Sequence, residues 1–497
     1  MPELSVERAL RAELEVRRAE LAVRDQANVL LSQENAALQV QVAALTEQVA
    51  ELVRRLGQGP RNSHKPPSSE GYEKPAPRSR RERTDRRSGG QPGHEGRTLR
   101  QVQVPDEVLV HSPAACSGCG RELADAPVVS VEQRQVFDLP EIVLHVVAHQ
   151  LEHRRCGCGQ VTMADVPTGV GAPTQYGPGV RALANYLLAG QYLPLARTSE
   201  LLTELVGAPI SQGSLASWHT DAAASLEPFV EAVTAGLQAA PVLGADETGI
   251  RVDGALAWVH AARTDELTLY TVSKRRGVEA MNDAAVLPAL APDTVLVHDF
   301  WSPYWTFDVT HAVCGAHLGR ELVAAGEADG QADWAGGLDR LLGEINRTTI
   351  AARALDADSL TDELLVTYQR RYHELITAGW AANPDHHRGG RGTTRRPKHV
   401  NLLDRLDTHR EEVLRYAHNL TVPFTNNGSE QDVRPLKIRM KIAGCLRTMS
   451  GAQAFCRMRS YLSTARKQGQ SAFTAMRMLQ QRDPWLPAIP VTPVSTT

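Results

Sequence analysis

The sequence contains no long apolar run. No uninterrupted apolar stretch reaches the roughly 18 residues that a membrane-spanning helix needs. The amino-terminal segment is charged from Glu3 onward and lacks the apolar core that a signal peptide requires. We therefore expect a cytoplasmic protein that has no membrane among its partners.

Cysteine and aromatic residues are also scarce. Seven cysteines among 497 residues are too few and too unevenly spaced for a disulfide framework. The four that lie close together are Cys116, Cys119, Cys156 and Cys158. In a reducing compartment such a set suits a metal ion better than disulfides. Because aromatic residues are only 5% of the chain, a recognition surface of many stacked rings is not expected.

Length and charge describe a multidomain protein with an uneven charge distribution. A chain of 497 residues predicts two to four domains, and 42% hydrophobic residues are enough for sizeable cores. The 54 Lys and Arg residues nearly balance 57 Asp and Glu, for a net charge of −3. The basic residues are nevertheless concentrated in two segments, and these indicate where a polyanion would bind.

Residues 1–56 have the composition of a helix, because they contain no glycine and only one proline, Pro2. Leucine recurs every seven residues, and the residue three positions before each leucine is Asn or Val; the eight are Leu31, Leu38, Leu45, Leu52, Asn28, Asn35, Val42 and Val49. This pattern is typical of a parallel two-stranded coiled coil, with Asn35 fixing the register. We predict a homodimer or higher oligomer. A single amphipathic helix packed on the body of the protein is the alternative.

Residues 57–105 predict a flexible basic linker. Between Arg61 and Arg100 there are eleven Lys or Arg residues against five Asp or Glu, a net charge of +6, with many Pro, Gly and Ser. Such a segment binds phosphate backbones without sequence preference, and Lys65, Arg80 and Arg81 are candidate DNA contacts. A solvated tether is the plainer interpretation, and both can hold together.

Residues 106–170 predict a small zinc ribbon. Alternating apolar residues indicate strands over VVSVEQRQVFDL and EIVLHVVAHQLEHRRC, bracketed by Cys116-Ser-Gly-Cys119 and Cys156-Gly-Cys158. Four thiolates on two Gly-containing turns suit a structural Zn²⁺ ion. The C-x-C spacing of the second pair is tighter than usual, so His149 or His153 is an alternative ligand.

Residues 171–240 are helical in pattern and resemble a helix-turn-helix. Gly207 is expected just past one helix, and Ser211 or Ser214 is expected to cap the next. The second helix would present four side chains to a DNA groove, namely Ser214, Ser217, Trp218 and Thr220. An ordinary helical hairpin explains the pattern equally well.

From residue 241 to 325 the pattern changes to that of a catalytic α/β core. Three antiparallel strands, a helix, a buried strand and a further αβ unit follow one another, which is the order of a ribonuclease H-like fold. In that fold the first and fourth strands are neighbours. Asp246, expected at the end of the first, and Asp299, at the end of the fourth, should therefore converge.

A third carboxylate is expected from a helix downstream. Asn426 or Asn427 would cap a helix that carries Glu430 in its first turn, and Asp432 is the main competitor of Glu430. Glu247 would point to the opposite face of its strand from Asp246 and is left out. Hard oxygen ligands of this kind suit two Mg²⁺ ions, which Mn²⁺ can replace.

The charge around Glu430 favours a polyanionic substrate. From Arg434 to Gln470 there are nine Lys or Arg residues and no Asp or Glu. The candidate DNA contacts among them are Arg434, Lys437, Arg439, Lys441 and Arg447. A cationic track that begins directly after Glu430 predicts nucleic acid as the partner.

Several motifs are similar to those of insertion-sequence 66 transposases, and the resemblance covers nearly the whole chain. Beside the leucine heptads and the four cysteines, they are Asn62-Ser-His-Lys-Pro-Pro-Ser-Ser69, Gly90-Gln-Pro-Gly-His94, Ala245-Asp-Glu-Thr248, Cys314-Gly-Ala-His317 and Asn426-Asn-Gly-Ser-Glu430. The resemblance implies a DDE transposase that cleaves DNA and transfers strands, acting on transposon ends and target DNA in the bacterial cytoplasm at the nucleoid.

The resemblance also implies a division of the catalytic fold. Residues 326–420 would be a helical insertion, and the core would resume over 421–482, before a tail at 483–497. His317 would lie close to the scissile phosphate, whereas Cys314 would be a core residue.

Two other functions are compatible with parts of this pattern. One is a catalytically silent DNA-binding regulator derived from a transposase. Intact Asp246, Asp299 and Glu430 favour an active enzyme over it. The other is a stand-alone nuclease of the same fold, which the long amino-terminal region argues against.

Overall fold

The computed structural model describes residues 3–56, 96, 98–386 and 396–489. Their contacts divide the chain into two compact units. One unit contains the described residues of 295–301 and 310–427 together with the amino-terminal helix, and the other contains those of 98–294, 302–309 and 428–489.

The amino-terminal segment is one unbroken helix, α1 (Glu3–Leu56). The helix expected over residues 1–56 is therefore present. Its heptad leucines, Leu31, Leu38, Leu45 and Leu52, are 56–59% exposed, and Val42 and Val49 are similarly exposed. The apolar stripe thus faces outward along the carboxy-terminal half of α1.

Between residues 98 and 177 regular structure is limited to a short antiparallel hairpin, β1 (His153–Arg155) and β2 (Val161–Met163). Of the two longer strands predicted across 128–156, only the end of the second forms a strand, which is β1, so the prediction of two long strands was wrong. The chain there is without a strand ladder, and Val129 is 95% exposed. Side chains make the cross-links instead: Gln101 Nε2 donates to the Gln133 carbonyl at 2.8 Å, and Gln135 Nε2 donates to the Val102 carbonyl at 2.7 Å.

A helical layer follows. Its elements are α2 (Pro178–Asn185), a π-helical turn (Tyr186–Gly190), α3 (Leu195–Val206), α4 (Gln212–Ala224) and α5 (Glu227–Gln238). Gly207 ends α3 with φ of 66°, the left-handed conformation that glycine adopts without strain. Ser211 caps α4 by accepting a hydrogen bond from the Ser214 amide. Both helix boundaries agree with the sequence.

Residues 242–313 contain a mixed five-stranded sheet. Its strands are β3 (Val242–Val252), β4 (Ala255–Arg263), β5 (Thr268–Ser273), β6 (Val295–His298) and β7 (Thr310–Val313). The order is β5-β4-β3-β6-β7, so the first and fourth strands of the sheet are neighbours, as predicted. The pairs β3–β4 and β4–β5 are antiparallel, and β6–β7 is parallel. Asp253 and Gly254, both with positive φ, form the tight β3–β4 turn.

Helices cover the antiparallel part of this sheet. On one face lie α12 (Asn427–Ala443) and α13 (Met449–Lys467), and α14 (Ala472–Gln480) continues from them. Their buried side chains form one core with the strands, in which Val433, Leu436 and Phe455 meet Val259 and Tyr270. The other face is lined by residues of the short helix α6 (Val278–Asp283) and of the segments after it.

In its described part, the segment between β7 and α12 consists of helices and the loops that join them. It contains α7 (Gly315–Gly326), α8 (Ala332–Arg353), α9 (Asp362–Ala381), α10 (Lys398–Thr408) and α11 (Arg410–His418). Buried Leu338, Ile345, Tyr372, Leu403 and Val413 pack their inner faces. The stretches that the sequence identified as helical here are helical, with a break at His409.

Candidate active site

The face of β3 that carries Asp246 is the face covered by α12 and α13. Side chains alternate along a strand, so Asp246 shares its face with Ile250 and Val252. Across the ladder Asp246 pairs with Ala261, which pairs with Tyr270. All of these except Asp246 belong to the core formed with α12 and α13. Asp246 therefore lies on the helix-covered face, within β3 and not at the strand end where the sequence placed it.

The half-buried carboxylate of Asp246 is oriented by its own strand. Its Oδ1 atom accepts a hydrogen bond from the backbone N–H of Glu247 at 2.9 Å. This bond fixes the orientation of the carboxylate relative to the strand.

Glu430 stands at the start of α12, on the side that meets the sheet. It lies three residues before the buried Val433, and residues three apart share one side of a helix. The first turn of a helix favours a carboxylate, because the unpaired N–H groups there carry a partial positive charge. The half-buried Glu430 thus lies on the side of α12 from which Val433 packs into the sheet core.

Asp432, the alternative to Glu430 as the third carboxylate, instead pairs with side chains of the sheet and of α13. Its Oδ2 atom accepts hydrogen bonds from Lys467 Nζ at 2.7 Å and from Thr268 Oγ1 at 3.2 Å, and Arg263 Nε lies 3.4 Å away. These contacts bind α12 to β5 and α13. A Cβ atom on Gly428 would stand 2.1 Å from an Arg263 nitrogen, so only glycine admits Arg263 here. Asp432 is a structural anchor, which favours Glu430 as the site carboxylate.

Asp299 directly follows β6. Its Oδ1 atom accepts a hydrogen bond from the Trp301 N–H at 2.9 Å, the two-residue turn typical of aspartate. The preceding residue, His298, is fully buried and donates from Nδ1 to the Asp299 carbonyl. Its Nε2 atom lies 3.0 Å from Nδ1 of His311. Burial lowers the pKa of His298 to about 3, so this imidazole is neutral at physiological pH.

The Cys314–His317 and Asn426–Glu430 motifs meet at the start of α7. The buried Cys314 Sγ accepts a hydrogen bond from the Asn426 N–H at 3.1 Å, and the Gly315 N–H donates to the Phe424 carbonyl at 2.8 Å. A Cβ atom on Gly315 would stand 2.2 Å from the Phe424 ring, so glycine is required there. Cys314 is a core residue, as predicted. His317 lies half-buried in the first turn of α7.

Comparison with known proteins identifies the family to which the chain belongs. The model of a family described as "Transposase IS66 family" matches residues 173–454, more than half of the chain. The chain belongs to the IS66 family of transposases. This membership supports a transposase role, a DNA-processing enzyme that binds DNA. Residues 2–100 match a second model, described as "Family of unknown function (DUF6444)". No curated protein matches the chain.

The four cysteines of this transposase form two separate pairs. Backbone N–H groups of Gly118 and Cys119 lower the pKa of Cys116, and Cys158 lowers that of Cys156 in the same way. Within the described residues, however, no three His, Cys, Asp or Glu side chains are gathered where they could hold a metal ion. The tetrathiolate zinc site, with or without His149 or His153, is not assembled.

Fewer cations of the segment from Arg434 to Gln470 are accessible to DNA than the sequence suggested. Three of its nine basic residues serve internal contacts: Arg459 is 2% exposed, Lys467 pairs with Asp432, and Arg457 pairs with Glu227 at 2.5 Å. Arg439 donates to the Gly444 carbonyl at 2.8 Å and lies over the Phe455 ring. The exposed or half-exposed cations that remain are Arg434, Lys437, Lys441, Arg447 and Arg466.

The helix-turn-helix-like pair offers little to a DNA groove. Trp218 packs edge-to-face against Tyr176, with ring centroids 5.8 Å apart, and Arg181 covers its ring. The helix α4 contains no Lys or Arg, and its exposed side chains include Ser217, Thr220 and Asp221. The interpretation as an ordinary helical hairpin therefore gains support.

The amino-terminal basic segment lies mostly outside the described residues. This applies to Lys65, Arg80 and Arg81 and to the motifs at 62–69 and 90–94. No helix in the described part of the chain has both the length and the apolarity to cross a bilayer.

Proposed function

We propose that this transposase cleaves and joins DNA strands at a ribonuclease H-like site formed by Asp246, Asp299 and Glu430. The observation that carries the proposal is the strand order, in which β3, with Asp246, is the neighbour of β6, which Asp299 follows. The packing of α12 on the Asp246 face of the sheet adds Glu430.

The donor chemistry of the three carboxylates fits Mg²⁺, with Mn²⁺ as a substitute, because both ions prefer oxygen ligands. Two such ions, when bound, activate a water or 3′-hydroxyl and stabilise the leaving oxygen. The three side chains are not gathered as a ligand group among the described residues. Like charges repel without a cation between them, so we expect them to close when the metal binds.

The chain itself would orient and stabilise the reacting groups. The Glu247 amide holds the Asp246 carboxylate, and the Trp301 amide holds that of Asp299. Fixed carboxylates reduce the reorganisation needed in the transition state. We assign His317 to the scissile phosphate, as a donor at the start of α7.

DNA would lie along α12. Arg434, Lys437 and Lys441 are spaced by three and four residues and therefore share one face of that helix. Together with Arg447 they provide sequence-independent phosphate contacts. The predicted contacts of Lys65, Arg80 and Arg81 in the basic linker would add to this affinity, whereas Arg439 contributes chiefly to packing.

We further propose that α1 dimerises the enzyme as a coiled coil, because its heptad leucines are exposed in the single chain. Replacing Leu38 and Leu45 by Asp should convert the dimer to a monomer in light scattering. Replacing the exposed Val40, off the a and d positions, by Asp is the matched control. An unchanged dimer mass in the double variant would refute the coiled coil. We assign no zinc ion to the four cysteines.

The decisive experiment compares Glu430→Gln with Asp432→Asn on a labelled transposon end, taken from the DNA that flanks the gene. Glu430→Gln should reduce cleavage by about 10³-fold or more with DNA binding intact, because a site carboxylate is lost. Asp432→Asn should lower thermal stability and retain cleavage. Normal cutting by Glu430→Gln, or loss of cutting only in Asp432→Asn, would contradict the assignment. Absence of cutting by the wild-type protein with firm binding would favour the regulator.

A further inference from the structure

Glu247, the neighbour of Asp246, is a buried carboxylate that the proposed reaction does not use. Successive side chains of a strand point to opposite faces, so Glu247 faces away from α12. Its side chain is only 3% exposed. Burying an ionised carboxylate is costly unless it is paired and hydrogen-bonded. The contacts of the Glu247 carboxylate must therefore offset the free-energy cost of burying it.

Both carboxylate oxygens of Glu247 are satisfied. Oε1 accepts hydrogen bonds from Arg276 Nη2 at 2.6 Å and from Arg276 Nε at 3.1 Å. Oε2 accepts a hydrogen bond from the Tyr304 hydroxyl at 2.6 Å. The Arg276 guanidinium in turn lies over the Trp258 ring, 4.6 Å from its centroid. Charge-assisted bonds of this kind are short and strong, so the group is fixed in place.

These contacts tie together three segments that are distant in sequence. Arg276 follows β5 by three residues, and Tyr304 lies in the short 3₁₀ helix Ser302–Thr306. Tyr304 is fully buried, and it comes five residues after Asp299 in the chain. The carboxylate of Glu247 therefore holds the turn that follows Asp299 against the strand that carries Asp246.

The same residue also sets the orientation of the Asp246 carboxylate. The Glu247 N–H donates to Asp246 Oδ1 at 2.9 Å. A side chain locked on one face thus fixes the backbone amide that holds the carboxylate on the other face. Two independent contacts of Glu247 act on the two segments that carry the proposed aspartates.

We propose that Glu247, with Arg276 and Tyr304, is a positioning residue for the strand-cleavage reaction. The cluster sets the direction of the Asp246 carboxylate and the course of the chain after Asp299, without contacting DNA or metal itself. The inference rests on the proposed function, since it concerns the same carboxylates.

The test uses Tyr304→Phe and Glu247→Gln in the full-length protein. Tyr304→Phe removes one hydroxyl and keeps the ring, and Glu247→Gln keeps the shape but removes the charge that Arg276 pairs with. The matched control is Tyr372→Phe, which also removes a buried hydroxyl, bonded to the Leu406 carbonyl at 2.8 Å within the helical segment. The readouts are Mn²⁺ binding by electron paramagnetic resonance without DNA, cleavage rate against Mg²⁺ concentration, and melting temperature.

Both site variants should weaken Mn²⁺ binding and slow cleavage by about 10-fold to 100-fold, the usual cost of losing support behind a metal ligand. Excess Mg²⁺ should restore part of the rate. Tyr372→Phe should lower the melting temperature and leave both other readouts unchanged. Wild-type Mn²⁺ binding and cleavage in Tyr304→Phe would overturn the proposal, and so would an equal loss in Tyr372→Phe.

Failure of the underlying function gives a different pattern. If Asp246→Asn leaves Mn²⁺ binding and cleavage intact, the carboxylate site itself is wrong. If Asp246→Asn abolishes both and Tyr304→Phe changes neither, only the positioning role is wrong. Should Glu247→Gln fail to fold, Tyr304→Phe still decides, because it removes only the hydroxyl group and keeps the ring.

Discussion

Two segments of this chain alternate apolar and polar residues, and only one of them forms a sheet. Residues 242–273 are three paired strands covered by α12 and α13, and their inward side chains are buried. Residues 128–152 have a similar pattern but no ladder, and their valines are exposed. Alternation therefore predicts which side chains share a face, but a strand also needs a neighbour for its backbone and a layer for its apolar face.

The largest expected difference between the two segments is in stability. Leu243 in β3 is fully buried, and Leu139 is 81% exposed. Leu243→Ala should lower the free energy of unfolding by about 2–5 kcal/mol, because it leaves a cavity in a packed core. Leu139→Ala should change it by no more than about 0.5 kcal/mol. Urea unfolding of both variants checks this. Comparable losses would mean that residues 128–152 are packed in solution.

A smaller effect should appear as a pH dependence of the covered sheet. Burial lowers the pKa of Lys467 to about 8, despite the carboxylate of Asp432, below the 10.5 of an exposed lysine. Between those two pH values the unfolded state binds more protons at this site, so stability should rise with pH. The cost of burying the ammonium is fully present below pH 8 and is relieved towards pH 10.5.

The wild-type protein measured against Lys467→Gln isolates this contribution. From pH 8 to 10 the wild type should gain on the order of 2 kcal/mol relative to the variant, which lacks the titrating group. Thermal unfolding at stepped pH is the measurement. A parallel pair of stability curves would show that Lys467 titrates normally, with the carboxylate of Asp432 offsetting the cost of burial in full.

The sequence predicted the order of the strands in the sheet better than it predicted the contacts around the candidate carboxylates. Strand order and the start of α12 follow from local patterns, namely alternation, turn residues and a cap. The roles of Glu247 and Asp432 do not, because their partners are far along the chain: Tyr304 is 57 residues from Glu247, and Lys467 is 35 from Asp432. Burial of Arg459 was likewise missed, since a run of cations looks alike whether it faces solvent or core. For Glu247, the available signal was the alternation along β3, which places this glutamate on the face opposite Asp246.

The smallest expected effect concerns the cysteines that bracket the exposed segment. Because the Cys116–Cys119 and Cys156–Cys158 pairs are not gathered into one group, replacing Cys116 and Cys156 by Ser should change the free energy of unfolding by no more than about 0.5 kcal/mol. The control is Ser117→Ala in the same turn. Melting and metal content are measured on reduced protein purified without chelators.

One zinc ion per wild-type chain, lost with the serines together with several kcal/mol of stability, would contradict this expectation, because metal binding to a structural site is itself folding free energy. It would also change the comparison between the two segments. A bound ion would join the two cysteine turns and bring the chain between them into register. Residues 128–152 would then have paired neighbours, as β3 has in β4. Slow amide exchange across 128–152 only in the zinc-loaded protein would be the corresponding signature.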